Sequence, residues 1–364
     1  MSTSNKMPEF VLKFRGLGAS AIRRGQRGTA ALILLDSTAG ESIAKYKSIG
    51  DFTSEEQAKY TNENILAIKD ALEGTPLELY VFKSPVEGEV TDIFKTVSGK
   101  IPRNSWIGIQ SGTQSHQDDL ISFIKSENKN NKKRFKVFTY KATNPDDMHI
   151  VNMTNETVEF PDSRGTKAGH EAIAYMLGYY AGLPLSMSGI AKELKFKSVS
   201  EPENLDTAIS NGEHVLFNDE GKVKIARAVN SLKTTGQDIT EEMTFINTVE
   251  KMDFIYTDIF TTWNESYKGR YPNILNNQML FIGAINGYYK SLARDYILDP
   301  NFENRSMVDI EAQRVANYPK YGEDVANGWD DNKVMQMTVS TKVFLKGNIK
   351  IAGIMEDFIF DIFM

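Results

Sequence analysis

The chain of 364 residues contains no cysteine. That absence removes disulfides, thiol nucleophiles and thiolate metal sites together. Four histidines supply all of its imidazole, which is thin material for acid–base or metal chemistry in a chain of this length. No apolar run reaches the roughly 18 residues of a membrane-spanning helix. The opening Met1-Ser-Thr-Ser-Asn-Lys-Met-Pro8 has no apolar signal-peptide core, so the expectation is a protein made and folded in the cytosol, with no membrane partner. Positive charge is not in excess either. Lys and Arg number 42 against 48 Asp and Glu, a net charge of −6, so no general attraction draws the chain to nucleic acid or anionic lipid. Low-complexity sequence is confined to residues 127–134, and no internal repeat is found.

What the chain does have is apolar ends. Chain termini are usually polar and frayed unless something ties them down. Here Phe358, Phe360, Ile362 and Met364 alternate with Asp357, Ile359, Asp361 and Phe363, the two-residue period of a β-strand with large side chains on both faces. Near the other end, Phe10, Leu12 and Phe14 alternate with Val11 and Lys13. Such strands either dock within one molecule or are given to a neighbour as added strands. The second option would make the chain a building block.

Between the ends, apolar residues at 41% and charged residues at 25% describe a globular protein long enough for two or three domains. Residues 16–28 are rich in Gly and Arg and have the composition of a linker. The apolar run 29–35 fits a strand covered on both faces. Residues 77–82, 106–109 and 135–140 read as further strands, with helices at 62–73 and 118–126 between them. Alternation of this kind predicts an α/β layered domain with a largely parallel sheet. An apolar helix within 165–182 and a hairpin around Asn218-Asp-Glu-Gly221 follow. A new section opens at Gly236. Phe245, Val249, Met252, Ile255, Ile259 and Trp263, then Leu275, Met279, Ile282, Ile285, Tyr289, Leu292 and Tyr296, mark two amphipathic helices. Residues 301–329 are mixed and polar. Alternation over 335–345 predicts a half-buried strand, with a turn at Gly347-Asn348.

Candidate chemistry is scattered. Asp36-Ser37-Thr38 at a strand end, His170, and Ser186 or Ser188 stand in the order of a subtilisin-type triad, but without the motif flanks that a triad requires; strand-end and helix-cap residues are the plainer reading. Gly16-Leu17-Gly18 lacks the six-residue spacing of a dinucleotide fingerprint. Asp146-Asp147-Met148-His149 offers metal-ligand types, which more often form a surface turn. Lys132-Lys133-Arg134 beside Phe135 is more simply a solvated turn than a nucleic-acid contact. No coherent catalytic constellation emerges.

Four segments carry a resemblance. They are Phe14-Arg-Gly-Leu-Gly-Ala-Ser-Ala-Ile-Arg-Arg-Gly-Gln-Arg-Gly-Thr-Ala-Ala-Leu-Ile-Leu-Leu-Asp36, Gly178-Tyr-Tyr-Ala-Gly-Leu-Pro-Leu-Ser-Met-Ser188, Gly221-Lys-Val-Lys-Ile-Ala-Arg-Ala-Val-Asn-Ser-Leu232 and Val343-Phe-Leu-Lys-Gly-Asn-Ile-Lys-Ile-Ala-Gly-Ile-Met-Glu-Asp357. In this order they resemble the contractile-tail sheath proteins of defective-prophage and R-type bacteriocin particles. The resemblance implies an α/β chain, α+β overall, with a subtilisin-like three-layer sheath domain that lacks catalysis. It implies an arm and linker over 1–28, the sheath domain over 29–236, a C-terminal α+β domain facing the tube over 237–345, and a second arm over 346–364. Phe10, Val11, Leu12 and Phe14, and Phe358, Ile359, Phe360, Ile362, Phe363 and Met364, are where the arms exchanged between subunits would lie. The exposed charges around Lys251, Lys268 and Arg270 are candidates for facing the tube.

The implied partners are further copies in a helical stack of hexameric rings, an inner tail tube, a baseplate and a tail terminator. No cofactor, metal or direct nucleic-acid partner is implied. Such particles assemble in the bacterial cytoplasm and leave on lysis. Three other readings stay open at this point: a subtilisin-like hydrolase, a terminator or adaptor that does not polymerise, and a monomer whose two ends pair with each other.

Overall fold

The computed structural model describes residues 21–363 apart from 23, 26, 87 and 88. Phe10, Val11, Leu12, Phe14, Gly16-Leu17-Gly18 and Met364 lie outside the described residues. The chain forms two compact units. One, here the α/β unit, comprises Gly25–Thr257 and Ile351–Met364; the other, here the inserted unit, comprises Met1–Arg24 and Asp258–Lys350.

The α/β unit opens with strands β1 (Thr29–Leu35) and β2 (Ile43–Tyr46). Helices α1 (Ser54–Gln57) and α2 (Asn62–Glu73) lead to β3 (Glu78–Ser84), α3 (Thr91–Lys100), β4 (Trp106–Gln110), α4 (Gln114–Asn130), β5 (Lys136–Tyr140) and β6 (Ile150–Met153). Short strands β7 (Thr157–Glu159) and β8 (Thr166–Ala168) precede α5 (Ile173–Gly182). Then come β9 (Ser198–Val199), α6 (Leu205–Ser210), β10 (Glu213–His214), the hairpin β11 (Leu216–Asp219) and β12 (Lys222–Ile225), and the long helix α7 (Ile246–Thr262), within which the unit boundary falls.

Seven strands form one sheet in the order β10-β6-β5-β4-β1-β3-β2. Every pairing is parallel except β2 with β3. Its alternate residues feed two cores. Ala30, Leu32, Leu34, Leu79, Val81, Trp106 and Phe138 face α2 and α5; Ala31, Ile33, Phe82, Ile107, Ile109 and Val137 face α3 and α4. Both sheet faces are therefore covered, which explains the unbroken apolar run of β1, with Ala30 through Leu34 all 0% exposed. Fully burying each large side chain contributes about 1.5–3 kcal/mol. On one face α5 lies against α2 at a spacing only glycine permits, since a Cβ on Gly178 would stand 1.9 Å from the Ala71 carbonyl oxygen.

The inserted unit contains the last turns of α7, a π-helical turn at Trp263–Tyr267, α8 (Leu275–Arg294), β13 (Arg305–Val308), α9 (Ile310–Tyr321), α10 (Glu323–Asn327), α11 (Asp331–Gln336) and β14 (Leu345–Asn348). Phe281, Ile282, Ile285, Tyr288, Tyr289 and Leu292 bury one face of α8. Tyr288 donates to Asp258 Oδ2 at 2.7 Å, and the Asn286 side chain makes two hydrogen bonds to the backbone of Ser306, fixing β13.

One expectation is corrected here, and one stretch gains elements that its composition did not announce. Residues 335–345 are not a strand. Asp330 accepts from the Lys333 amide and starts α11 there, burying Val334, and the strand is β14, paired antiparallel with β13 and including Gly347 and Asn348. The polar stretch 301–329 holds β13, α9 and α10, with Asp309 capping α9 by accepting from the Ala312 amide. A capped helix needs only one apolar stripe, so polar composition conceals it.

Candidate functional site

The apolar C-terminal segment is the feature without an explanation inside one chain. Residues 352–363 belong to no helix or strand, so the strand expected there is not formed in the single chain; a strand exists only when its backbone groups find a partner. Phe358 is 87% exposed, Ile359 89%, Phe360 66%, Ile362 71% and Phe363 94%. An exposed run of large apolar side chains marks an interaction surface. The Phe358 and Phe360 rings lie 5.8 Å apart.

Immediately before this run, the chain is held to the α/β unit at three points. Lys251 Nζ donates to the Ala352 carbonyl oxygen at 2.6 Å. Ser188 Oγ donates to Glu356 Oε1 at 2.5 Å. Arg227 takes both oxygens of Asp357, at 2.9 and 2.8 Å, the two-pronged geometry that suits a guanidinium. The three side chains come from the segment after α5, the segment after β12, and α7.

Lys251 corrects the expectation that it is an exposed charge. It is 0% exposed, and burial pushes its ammonium down to about 8. Helical periodicity placed it on α7 without showing that α7 is covered on that side. Lys268 and Arg270 are exposed in the inserted unit. Lys268 lies beside a cavity of about 540 Å³ lined by Trp263, Tyr267, Tyr271 and Phe281.

The triad residues are spent elsewhere. Asp36 accepts from the backbone amides of Thr38 and Thr61 and from Asn64 Nδ2, at 2.8, 3.0 and 2.8 Å. Burial would raise its carboxyl, but the hydrogen bonds from Asn64, Thr61 and Thr38 outweigh it and hold it below the usual range. Asp36 thus ties the end of β1 to the start of α2. His170 stands 3.4 Å from Glu171, which also accepts from Gln110 Nε2 and Ser111 Oγ. Ser186 is exposed, and buried Ser188 serves Glu356. In open parallel sheets, ligands bind outside the carboxyl ends of the strands where the order reverses, here between β1 and β4. The polar side chains at those two strand ends hydrogen-bond within the unit: Asp36 to α2, Gln110 to Glu171.

The other candidates resolve likewise. Asp146 accepts from Lys233 and Thr234, while Asp147 pairs with His149. Among the described residues no group of three His, Cys, Asp or Glu side chains is placed to hold a metal. Arg134 lies over the Tyr256 ring at 3.7 Å, and Lys133 Nζ donates to Ser98 O. Sequence reading missed Ser188, Arg227 and Glu356 as a connected group. In the sequence Ser188 reads as a candidate triad serine, and Arg227 and Glu356 fall in two of the segments that carry the resemblance, with nothing to join them.

With this geometry in view, known proteins show what the chain is similar to. Residues 238–364 match the phage tail sheath C-terminal domain. The similarity extends beyond it: the tail sheath protein of Clostridium phage phiCD119 is 23% identical over 358 residues, 95% of this chain and 96% of that protein. The fold recurs in solved structures. The contracted helical sheath of the anti-feeding prophage superimposes with a TM-score of 0.69 at 11% identity, covering 98% of this chain and 99% of that one. A sheath tail protein from Desulfitobacterium hafniense gives 0.68 at 11% identity, covering 83% and 94%.

Proposed function

We propose that the chain is the structural subunit of a contractile tail sheath, polymerising around an inner tube and contracting to drive it through a target cell envelope. The observation that carries this reading is the exposed apolar segment 358–363 attached to a root that is itself fixed. A soluble monomer has no use for such a segment, whereas a polymer covers it by strand addition to a neighbouring copy. The amino-terminal strand, residues 10–14, plays the same part. The α/β unit serves as a scaffold without catalysis and keeps a subtilisin-like layering. Copies stack as hexameric rings, joined to a baseplate at one end and a terminator at the other, assembled in the bacterial cytoplasm. Lys268 and Arg270 face the tube. Contraction draws its energy from a second packing of the same interfaces, summed over many copies, and needs no cofactor.

Negative-stain microscopy of the intact protein beside a version ending at Glu356 tests the reading. Long hollow tubes from the intact chain and none from the truncation are expected. Monodisperse particles from both would overturn it.

A further inference from the structure

The described residues just before the α/β unit are held by the inserted unit. Arg24 Nη2 donates to Ser291 Oγ at 3.2 Å, and its Nη1 pairs with Asp295, both at the C-terminal end of α8. Ile22 is buried. From Gly25 onward the chain belongs to the α/β unit, where Arg27 donates to the Leu183 carbonyl oxygen at 2.6 Å and to Glu250 Oε2 at 3.0 Å. The carboxy end reverses this. Lys350 still belongs to the inserted unit, where its amide donates to Asn304 Oδ1 and its ammonium pairs with Asp299, both at 2.9 Å. Two residues later Ala352 is held by Lys251, followed by Glu356 with Ser188 and Asp357 with Arg227, all in the α/β unit.

We infer that the two terminal segments are rooted crosswise. The amino-terminal segment precedes the α/β unit in sequence but is fixed to the inserted unit. The carboxy-terminal segment follows the inserted unit but is fixed to the α/β unit. Given the reading above that both segments are taken up by neighbouring copies, each copy is joined to its neighbours through two different units. The neighbour that captures 358–363 is tied to Ser188, Arg227 and Lys251, and the pull bypasses residues 258–350. The neighbour that captures the amino-terminal strand is tied to α8. Ser188, Arg227 and Lys251 on one side, and Ser291 and Asp295 on the other, are positioning residues for the links.

Because the chain has no cysteine, a single introduced one carries a nitroxide at a known place. Ala21→Cys and Met355→Cys put labels on the two roots, at exposed positions. Below the concentration at which the protein polymerises, both labels are expected to show restricted motion. Asp295→Asn with Ser291→Ala should free the label at 21 and leave that at 355 restricted. Asp357→Asn with Ser188→Ala should do the reverse. Arg24→Gln and Arg227→Gln repeat the test from the opposite partners, with an unchanged thermal melt confirming that the fold is kept. Labels that move freely in the parent chain, or a pair of substitutions that frees the far label, would overturn crosswise rooting. A third label at Asp361→Cys reports on the function itself. If it stays mobile in concentrated protein, segment 358–363 is not captured by a neighbour, while the result at 21 and 355 still decides the roots.

Discussion

His149 places its Nε2 3.1 Å from Asp253 Oδ1 and its Nδ1 3.4 Å from Asp147 Oδ1. Asp253 lies on α7, and it also faces Lys136 at 3.5 Å and Arg134 at 3.6 Å. One turn away, Glu250 meets Lys136 and Arg27, both at 3.0 Å. Lys136 opens β5 and His149 precedes β6, so these pairs fasten α7 across the amino-terminal ends of the parallel strands. Helix α7 runs on into the inserted unit, and its attachment is therefore set by buried charge as well as apolar packing.

This arrangement predicts a loss of stability in mild alkali. Burial alone would lower the His149 pKa, but the charge of Asp253 and the hydrogen bonds of Asp147 and Asp253 outweigh it and hold the ring up at about 9. An unfolded histidine titrates near about 6.5. A raised folded-state pKa means a contribution present in full below about 6.5 and lost as pH rises through about 9. Thermal melting should therefore fall across that window in the parent chain, and more shallowly in His149→Gln. Equal slopes in the two proteins would contradict it.

Removing the carboxylate that several cations share should cost far more. Asp253 is 3% exposed, and Asp253→Ala leaves Arg134, Lys136 and His149 short of a counter-charge. Breaking a buried pair from one side costs about 3–5 kcal/mol. The contrast is Lys197→Ala, whose partner Glu159 it meets at a surface where Lys197 is 68% exposed; exposed pairs contribute at most about 1 kcal/mol. Urea unfolding of the two variants should separate them clearly.

Packing between α2 and α5 gives a third expectation. Gly178→Ala puts a methyl group against the Ala71 carbonyl, and overpacking of this kind costs about 1–3 kcal/mol, or more where backbone blocks the way. Gly283→Ala on α8, where a Cβ would meet nothing within 4 Å, should be stabilising by up to about 1 kcal/mol through helix propensity. Paired denaturation curves check both signs.

Much of the α/β unit was legible because its signals are local. The apolar run of β1 needs cover on both faces, and helix α2 announces itself with Thr61 before it and Gly74 after it. Spacing gave Ile282, Ile285, Tyr289 and Leu292 on the buried face of α8, but Met279 is exposed and Tyr296 lies exposed beyond the helix end. What stayed hidden depends on tertiary partners. Lys251 looked exposed because a lysine's burial is decided by what covers its helix, here the returning chain at Ala352. The helices of 301–336 hid behind short apolar stripes, and alternation over 335–345 was too brief to tell a strand from a helix end. The apolar character of 358–363 was plain, yet no sequence pattern linked Glu356 to Ser188 or Asp357 to Arg227 across more than a hundred residues.

The last prediction concerns that exposed segment. Phe358→Ser and Phe360→Ser remove side chains that bury little in the single chain, so the melt of dilute protein should move by no more than about 0.5 kcal/mol equivalent. In a polymer that covers them, each ring contributes about 1.5–3 kcal/mol, and each 1.4 kcal/mol is about tenfold in an equilibrium constant. The double variant should raise the critical concentration for polymerisation, measured by sedimentation, by about a hundredfold or more. Asp361→Asn, which keeps the shape and the apolar faces, should change it far less. A double variant that polymerises like the parent would show that these rings are not buried between copies, and the reason for an apolar chain end would have to be sought elsewhere. Unequal effects of the two single variants would instead report which position along that one face of the added strand is the more deeply covered, since successive even positions point to the same side of a strand.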